Sequence, residues 1–302
     1  MKRHSGFFRT LPLCGLLLWL LADSGAVRAA AGDALRLCST SVIPALLPFL
    51  IVSDLLISLG FGQQLAALFA PLMALYGLPG CAASALVLGL VGGYPIGART
   101  AAALHQQGRL TRSETDRLLT FCSNSNPVFL ISVLGQGVFS STRTGVYLWL
   151  IHLSAALLTG LLLCRHVSDR RELPPTPPVD LSITGALTSA LSHGCGAILS
   201  ICTCVIFFYV LLTPVRALTG LLPDVLIGLT ELFSLTPRLR PDRFSLVLAA
   251  GCAGFGGVSV LVQTAAVLEE SGLSPRPCVR GKAVQGLLSA LLALALSPWI
   301  LA

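Results

Sequence analysis

Long apolar runs follow one another along this chain, separated by short polar stretches that carry most of the charges. Eight of them reach about 20 residues, the length that a helix needs to cross a membrane, and they occupy residues 9–30, 38–60, 82–104, 118–139, 144–164, 186–213, 244–268 and 281–301. Two further apolar pieces, residues 65–80 and 223–237, are shorter and are interrupted or bounded by proline. The pattern predicts an all-α, polytopic integral membrane protein with about 8–10 transmembrane helices and short broken or re-entrant segments.

The arginines predict which loops lie on the cytoplasmic side, where positive charge is usually in excess. With a cytoplasmic N-terminus and both short pieces crossing, the chain crosses the membrane ten times. Loops 105–117, 165–185 and 237–243, with three arginines each, are then cytoplasmic. Loop 269–280 is then outside, although it holds two arginines. Whether both short pieces cross or re-enter is left open at this point.

Two windows of the chain resemble each other at a constant offset of 164 residues. Residues 92–108 (GGYPIGARTAAALHQQG) and 256–272 (GGVSVLVQTAAVLEESG) are identical at seven of seventeen positions. The match predicts an internal duplication, and an odd number of crossings between the windows predicts that the two copies are inverted. Inverted repeats with short segments interrupted by glycine and proline are typical of transporters that bind a solute near the midplane.

Polar and helix-breaking residues interrupt the apolar runs at four places. Glycine and proline at 92–97, and the glycines at 256–257, free backbone groups that protein, water or a ligand must satisfy at membrane depth. The sequence SNSN leads into Pro127, which suits the first turn of a new half-helix with Asn126 as its cap. Glu231 is a carboxylate well inside an apolar segment, where an acid is a functional hypothesis by default.

Each of these features also has a purely structural explanation, and the sequence leaves both explanations open. Glycines pack helix against helix, the guanidinium of Arg99 can snorkel to the membrane surface, and Glu231 can pair with an arginine such as Arg99. The predicted substrate-binding residues are Gly92, Gly93, Tyr94, Pro95, Arg99, Thr100, Ser123, Asn124, Asn126, Pro127, Glu231, Gly256, Gly257, Gln263 and Thr264.

Composition narrows the class of protein further. The 302 residues are 54% hydrophobic and only 11% charged, with a net charge of +7, whereas soluble domains average roughly 25% charged residues. In a membrane protein such an excess of cations anchors loops, and no basic run interleaved with aromatic residues indicates nucleic-acid binding. The ten cysteines are scattered without a CxxC pair, so neither a disulfide framework nor a zinc site is predicted.

No arrangement of residues indicates an enzyme or a resident cofactor. The histidines lie apart, without an HExxH motif, and the chain has no GxSxG elbow and no glycine-rich phosphate loop with a lysine. We therefore predict no catalytic residue, no cofactor and no bound metal. The HGC sequence at 193–195, seven residues before Cys202, still offers soft ligands for a passing metal ion.

Three stretches together resemble a known family. SVIPALLPFLIVSDLLISLG (41–60), GLVGGYPIGA (89–98) and FCSNSNPVFLISVLGQGVF (121–139) are similar to the YlbJ-type sporulation integral membrane proteins, within the wider Gate, or nucleoside-recognition, group. That group includes spore-maturation membrane proteins, concentrative nucleoside transporters and the permease part of ferrous-iron uptake proteins. The resemblance implies a multi-pass protein of the bacterial plasma membrane with a role in endospore formation.

The resemblance, which covers roughly residues 30 to 302, also suggests a division into domains. We predict an N-terminal transmembrane helix at 1–33, a first Gate-like repeat at 34–165, a proline-rich linker at 166–185 and a second Gate-like repeat at 186–302. The N-terminal stretch also has the form of a signal peptide, and we favour an uncleaved helix. One departure from the family is that LFSL follows Glu231, where relatives tend to continue with Ile-Thr and Gly.

The leading functional prediction is transport or sensing of a small polar solute. Residues 92–100, 123–127, Glu231 and 256–264 are expected to converge near the midplane. The alternatives are a non-transporting scaffold for spore-envelope assembly, and a divalent metal-ion or nucleoside permease. Expected partners are membrane lipid, an unknown small polar solute, and either a second copy of the chain or other sporulation membrane proteins. No nucleic-acid partner is expected.

Overall fold

The computed structural model describes residues 4–59, 61–164, 182–216, 218 and 220–301, and all regular elements within them are helical. Most of the predicted linker at 166–185, and the first residues of the predicted N-terminal helix, lie outside this described part. The helices in chain order are α1 (His4–Ala22), α2 (Ser24–Leu37), α3 (Ile43–Ser58), α4 (Phe61–Ala74), α5 (Ala82–Gly92), α6 (Ile96–Gln106), α7 (Arg112–Leu118), α8 (Thr142–Leu163), α9 (Ile183–Leu211), α10 (Thr213–Arg216), α11 (Leu221–Thr230), α12 (Leu232–Leu235), α13 (Arg243–Phe255), α14 (Gly257–Glu270) and α15 (Arg276–Ile300), with π-helical segments at Cys38–Val42 and Phe129–Val138 and a 3-10 turn at Thr236–Arg238.

The predicted fold class, an all-α polytopic membrane protein, is confirmed. Five helical segments of the described chain are long and apolar enough to cross a membrane, and they lie at Ser24–Leu56, Thr142–Leu163, Ile183–Leu211, Arg243–Glu270 and Arg276–Ile300. A sixth stretch, residues 112–138, runs through the protein as α7, an extended segment and a π-helix. We call these 27 residues the broken span.

One end of the helix bundle, which we call end A, is defined by contacts between distant loops. The thiol of Cys81 donates to the carbonyl oxygen of Arg109 over 3.8 Å. Nη1 of Arg112 lies 3.0 Å from the carbonyl oxygen of Gly272. The last turn of α8 also reaches this end, because the Cys164 thiol donates to the Arg117 carbonyl oxygen over 3.7 Å.

The opposite end, end B, is defined in the same way. Nη1 of Arg216 donates to the carbonyl oxygen of Ser234 over 3.1 Å, and Nη1 of Arg238 donates to that of Arg216 over 3.1 Å. Arg243, at the start of α13, donates to the carbonyl oxygen of Leu294 near the end of α15 over 3.5 Å. The chain therefore enters α13 and leaves α15 at end B.

Two segments enter the bundle and return to the end from which they came. The α5–α6 pair, which we call hairpin 1, begins and ends at end A, and its arms touch where Gly89 faces Gly97. The α11–α12 pair with the following 3-10 turn, which we call hairpin 2, begins and ends at end B. Its arms are joined by an ion pair of 2.5 Å between Arg238 Nε and Asp224 Oδ1.

The predicted crossing of residues 82–104 is therefore wrong, and neither of the two short pieces whose crossing was left open crosses. Residues 82–104 and 223–237 re-enter as hairpins instead of crossing. Residues 65–80, mostly α4, also do not cross, because α4 follows α3 at end A and the carbonyl oxygen of Gly77 accepts from Arg117 at the same end. The physical reason is length, since a helix of 14 residues spans only about 21 Å of the roughly 30 Å hydrocarbon layer.

The order of elements is the same in both halves of the described chain, but the direction is opposite. The first half consists of the α2–α3 span, hairpin 1, the broken span and α8. The second consists of α9, hairpin 2, the α13–α14 span and α15. Hairpin 1 enters from end A and hairpin 2 from end B, as an inverted repeat requires.

The sequence match at offset 164 does not follow this repeat. The two windows run parallel: the Tyr94 hydroxyl lies beside Gly256 where they begin, and the Arg112 to Gly272 hydrogen bond joins the chain where they end. Loop 269–280 consequently lies at end A with loop 105–117. Loop 237–243 lies at end B, so the predicted sides of two loops are corrected.

Cysteine labelling from one side of the membrane will test this topology. We expect Gln107→Cys and Ser271→Cys to react with an impermeant thiol reagent from the same side, because both follow helices that end at end A. Arg240→Cys, at end B, is the matched control and should react only from the other side. Labelling of positions 107 and 271 from opposite sides would contradict the arrangement.

Candidate functional site

Four interruptions of the helices meet at the centre of the bundle. The tip of hairpin 1 touches the extended part of the broken span, because a Cβ added to Gly93 would lie 3.0 Å from Cβ of Asn126. The α13–α14 span breaks at Gly256 and Gly257, whose φ angles of 89° and 84° favour glycine. Gly257 in turn lies against the carbonyl oxygen of Thr230, just before the tip of hairpin 2.

The extended part of the broken span is set by its own sequence. Residues 123–126 have no regular structure, and the helix resumes at Pro127. The side-chain Oδ1 of Asn126 accepts from the backbone N–H of Phe129 over 2.8 Å, as an N-cap does. The predicted cap is therefore present. Backbone groups left without a helical partner are satisfied by buried side chains instead.

One lysine holds the tip of hairpin 1 to the broken span. Nζ of Lys282, on α15, donates to the hydroxyl of Tyr94 over 2.7 Å and to the carbonyl oxygen of Ser123 over 2.6 Å. The Lys282 side chain is 1% exposed, and within the described chain it forms no salt bridge. A buried lysine held by neutral oxygens in the core of a membrane protein is a candidate functional residue.

A second polar group lies one turn further along α15. Nε2 of Gln285 donates to Oδ1 of Asn124 over 2.9 Å and lies 3.3 Å from Nε2 of His152 on α8. The same His152 nitrogen accepts from the backbone N–H of Ser125 over 3.2 Å. Two atoms of this network, Oε1 of Gln285 and Nδ1 of His152, are buried without a partner among the described residues.

Glu231 forms the tip of hairpin 2 and caps its second arm. Its carboxylate accepts from the backbone N–H groups of Phe233 over 3.0 Å and Ser234 over 2.5 Å. The side chain is 2% exposed. The suggested pair between Glu231 and Arg99 is not formed within the described structure, because Arg99 lies on the wall of a different cavity.

The two hairpin tips line an inner cavity of about 60 Å³. Its polar walls come from all four interruptions and their neighbours, and they are Tyr94, Ser125, Asn126, Glu231, Ser259 and Gln263. This volume holds about two water molecules at their liquid density. A solute larger than that requires the tips to move apart.

An outer cavity of about 350 Å³ adjoins the inner one. Three residues, Tyr94, Ile201 and Gln263, line both cavities. The outer cavity is bordered by Arg99 and by a hydrogen bond of 3.1 Å between His193 Nδ1 and Asp54 Oδ2. Its volume lies in the range of small-molecule sites, and Tyr94 stands at the junction.

The remaining predicted residues take supporting positions. Gly92 and Gly93 form the tip of hairpin 1, Pro95 lines the outer cavity, and Ser123 contributes its carbonyl oxygen to Lys282. Thr100 donates to the carbonyl oxygen of Ile96 on its own helix. The Thr264 hydroxyl is buried without a partner among the described residues.

Sequence reasoning missed Lys282, Gln285 and His152. The sequence does distinguish Lys282, because Lys2 and Lys282 are the chain's only lysines and Lys282 lies inside the predicted span 281–301. Gln285 follows at helical spacing of three, which places both side chains on one face. The suggested metal ligands gain no support, since the described residues contain no group of three or more His, Cys, Asp or Glu side chains that could hold a metal ion.

Comparisons with known proteins give two similarities. Residues 39–145 match the family model Gate, described as nucleoside recognition. The chain is 26% identical over 294 aligned residues to the sporulation integral membrane protein YlbJ of Bacillus subtilis (strain 168), which covers 82% of this chain and 72% of that protein. No solved structure matches the chain significantly. The predicted resemblance is therefore confirmed: this is a multi-pass membrane protein with a Gate domain match at residues 39–145, similar over most of its length to a sporulation integral membrane protein.

Proposed function

We propose that this chain carries a small polar solute across the plasma membrane of a spore-forming bacterium during sporulation. The observation that carries the proposal is the meeting of two hairpin tips, which enter from opposite ends, at one polar cavity between two broken spans. Irregular backbone at membrane depth is stable only where protein or a water-filled cavity satisfies it. Inverted halves around such a cavity are the architecture of alternating-access transporters.

The two cavities suggest the route. The outer cavity has the volume of a small-molecule site, whereas the inner cavity has room for only about two water molecules. The solute would bind against Tyr94 and Gln263, which both cavities share, and withdrawal of hairpin 1 or hairpin 2 would admit it to the space beside Glu231. The Gate description, nucleoside recognition, makes nucleosides the first solutes to test, since they fit the outer cavity by size.

A membrane scaffold for spore-envelope assembly is the second candidate. A scaffold needs exposed surfaces for partners but no polar cavity at its centre. A buried carboxylate beside a cavity, such as that of Glu231, is expensive in a packed membrane protein. A protein that binds no solute there would gain stability by replacing it with an apolar residue, and this cost favours transport over scaffolding.

If the solute passes beside Glu231, the variant Glu231→Gln should fold but should not function. The amide keeps the size of the side chain but removes its charge, so we expect the protein to fold with a loss of about 1 kcal/mol from the weaker cap. In a spore-forming bacterium that depends on this chain, heat-resistant spores should fall to the number found without the protein. Membrane levels of the variant should stay at those of the wild type.

The matched control is Glu269→Gln, an exposed carboxylate at the end of α14. It should sporulate normally. Normal sporulation of the Glu231→Gln strain at wild-type protein levels would contradict transport through this site and favour the scaffold. Uptake of radiolabelled nucleosides into proteoliposomes, compared between wild type and Glu231→Gln, then tests the solute class directly.

A further inference from the structure

The side-chain nitrogen of Lys282 lies where the backbone of the broken span is open. In a continuous helix the carbonyl oxygen of Ser123 would accept from the N–H of residue 127, but that residue is Pro127, which has none. Nζ of Lys282 lies 2.6 Å from this oxygen and 2.7 Å from the hydroxyl of Tyr94. One ionisable group therefore joins the tip of hairpin 1 to the extended part of the broken span.

The two oxygen atoms around Nζ are both neutral, and atoms of this kind bind monovalent cations in membrane proteins. Backbone carbonyl oxygens replace the hydration shell of an ion in channels. In transporters with broken helices, the unwound backbone carbonyls near the midplane coordinate the coupling cation. Lys282 forms no ion pair within the described chain, so its position is not set by a carboxylate.

The position of the lysine is fixed by backbone packing. A Cβ added to Gly281 would overlap the carbonyl oxygen of Thr120, so this part of α15 lies directly against the broken span. The side chain of the next residue, Lys282, is buried and reaches both oxygens from there. A neutral donor such as glutamine could join the same two oxygens without the cost of burying a charge. A lysine at this position therefore favours a site for positive charge over a simple hydrogen-bond bridge.

We propose that the gap between the tip of hairpin 1 and the broken span is a binding site for a monovalent cation, and that the ammonium group of Lys282 fills it as a covalently attached ion. The lysine supplies the charge that both oxygens receive, so the site needs no sodium or potassium ion. A consequence, which rests on the transport proposed above, is that no sodium or potassium ion bound at this position drives the solute.

Chemical rescue of Lys282→Ala tests the site on the purified full chain in detergent. The alanine keeps Cβ, and n-propylammonium has the same heavy atoms as the part of the lysine side chain that is removed. Thermal unfolding is compared in the chloride salts of propylammonium, sodium, potassium and choline at equal ionic strength. Relative to choline, which is too large for the gap, propylammonium should raise the unfolding midpoint by about 3 °C or more, and sodium or potassium by about 1–2 °C.

Matched variants separate a cation site from a general effect of salt. Lys282→Met fills the same space with an uncharged side chain, so propylammonium and choline should give it the same unfolding midpoint. The wild type should behave in the same way, because its site is already filled. Adding Tyr94→Phe to Lys282→Ala should reduce the propylammonium shift to about half or less, since the hydroxyl is one of the two oxygens that hold the cation.

An equal response of Lys282→Ala and Lys282→Met to propylammonium would overturn the proposal. A wild type that sodium stabilises as strongly as it stabilises Lys282→Ala would also overturn it. If Lys282→Ala aggregates in choline, its elution profile becomes the measurement: a single peak restored by propylammonium supports the site, whereas aggregation in every salt, with Lys282→Met eluting normally, contradicts it. No solute enters these measurements, so the proposed function still depends on the Glu231→Gln experiment alone.

Discussion

Tyr94→Phe will destabilise the protein more than Lys282→Met, and the double variant will be more stable than Tyr94→Phe alone. The phenylalanine removes the hydroxyl that accepts from Lys282 and leaves a buried ammonium with the carbonyl oxygen of Ser123. Hydrogen bonds to charged groups contribute about 1.5–3 kcal/mol, and this much stability should be lost.

Lys282→Met has two opposing effects. It leaves the Tyr94 hydroxyl and the Ser123 carbonyl oxygen without their donor, which costs about 1–3 kcal/mol for each buried group. It also removes a charge whose burial costs several kcal/mol, and replacing buried ions by apolar side chains is often neutral or stabilising. The net change should therefore lie within about 1 kcal/mol of zero. Methionine suits the space because it is unbranched and adaptable.

Thermal unfolding in detergent measures the stabilities of the purified variants, and spore counts measure their function. Lys282→Met should abolish function despite its stability, because hairpin 1 loses the group that positions its tip. A Lys282→Met protein that is both stable and fully active would show that the ammonium is dispensable. A double variant less stable than Tyr94→Phe would show that the two side chains do not act as a pair.

Gly281→Ala is the second large effect, and it should prevent folding or cost about 3 kcal/mol or more. A Cβ at this position would overlap the carbonyl oxygen of Thr120 and lie 2.6 Å from its Cα. The contact is between backbone and backbone, so no side chain can turn aside. It also lies next to Lys282, so this close approach of α15 and the broken span adjoins the central site.

Gly32→Ala, in α2, is the matched control, because a Cβ there has no neighbour within 4 Å. It should raise helix stability by about 0.5–1 kcal/mol through the lower entropy of the unfolded chain. Fluorescence-detected elution profiles before and after heating will separate the two variants. Similar profiles for Gly281→Ala and Gly32→Ala would contradict the close approach.

The chemistry of the centre could be predicted from the sequence because membrane depth makes polar and helix-breaking residues conspicuous. Tyr94, Asn126, Glu231 and Gln263 stood out in this way, and the structure brings all four to the inner cavity. That they bind solute stays a prediction. The cap at Asn126 followed from local rules alone, since a polar side chain before Pro127 has few other uses.

The topology could not be predicted in the same way, because hydropathy does not distinguish a crossing helix from two half-length helices. Residues 82–104 read as one continuous apolar span, although Gly93 turns the chain back toward end A. The apparent repeat failed for a related reason. Its identities are mostly glycine and alanine, which are frequent in any packed membrane helix. The structural repeat instead relates hairpin 1 to hairpin 2, and the sequences of their tips are unrelated.

Lys282 was missed because the hydropathy pattern placed it at the start of a span, where a lysine usually reaches the membrane surface. Lys282 does not reach the membrane surface because of the residue before it, Gly281. Backbone contact between α15 and Thr120 draws the helix against the broken span and encloses its next residue. The position of a charge relative to the membrane thus depended on a helix–helix contact that no local pattern encodes.

The contact between Tyr94 and Lys282 determines when the central site can be completed during synthesis. Tyr94 and Lys282 are separated by 188 residues. At about 5–20 residues per second, translation of the intervening chain takes roughly 10–40 s. During that interval hairpin 1 lacks the lysine that anchors its tip. The centre of the protein is therefore completed last, and a chain truncated before α15 would expose it.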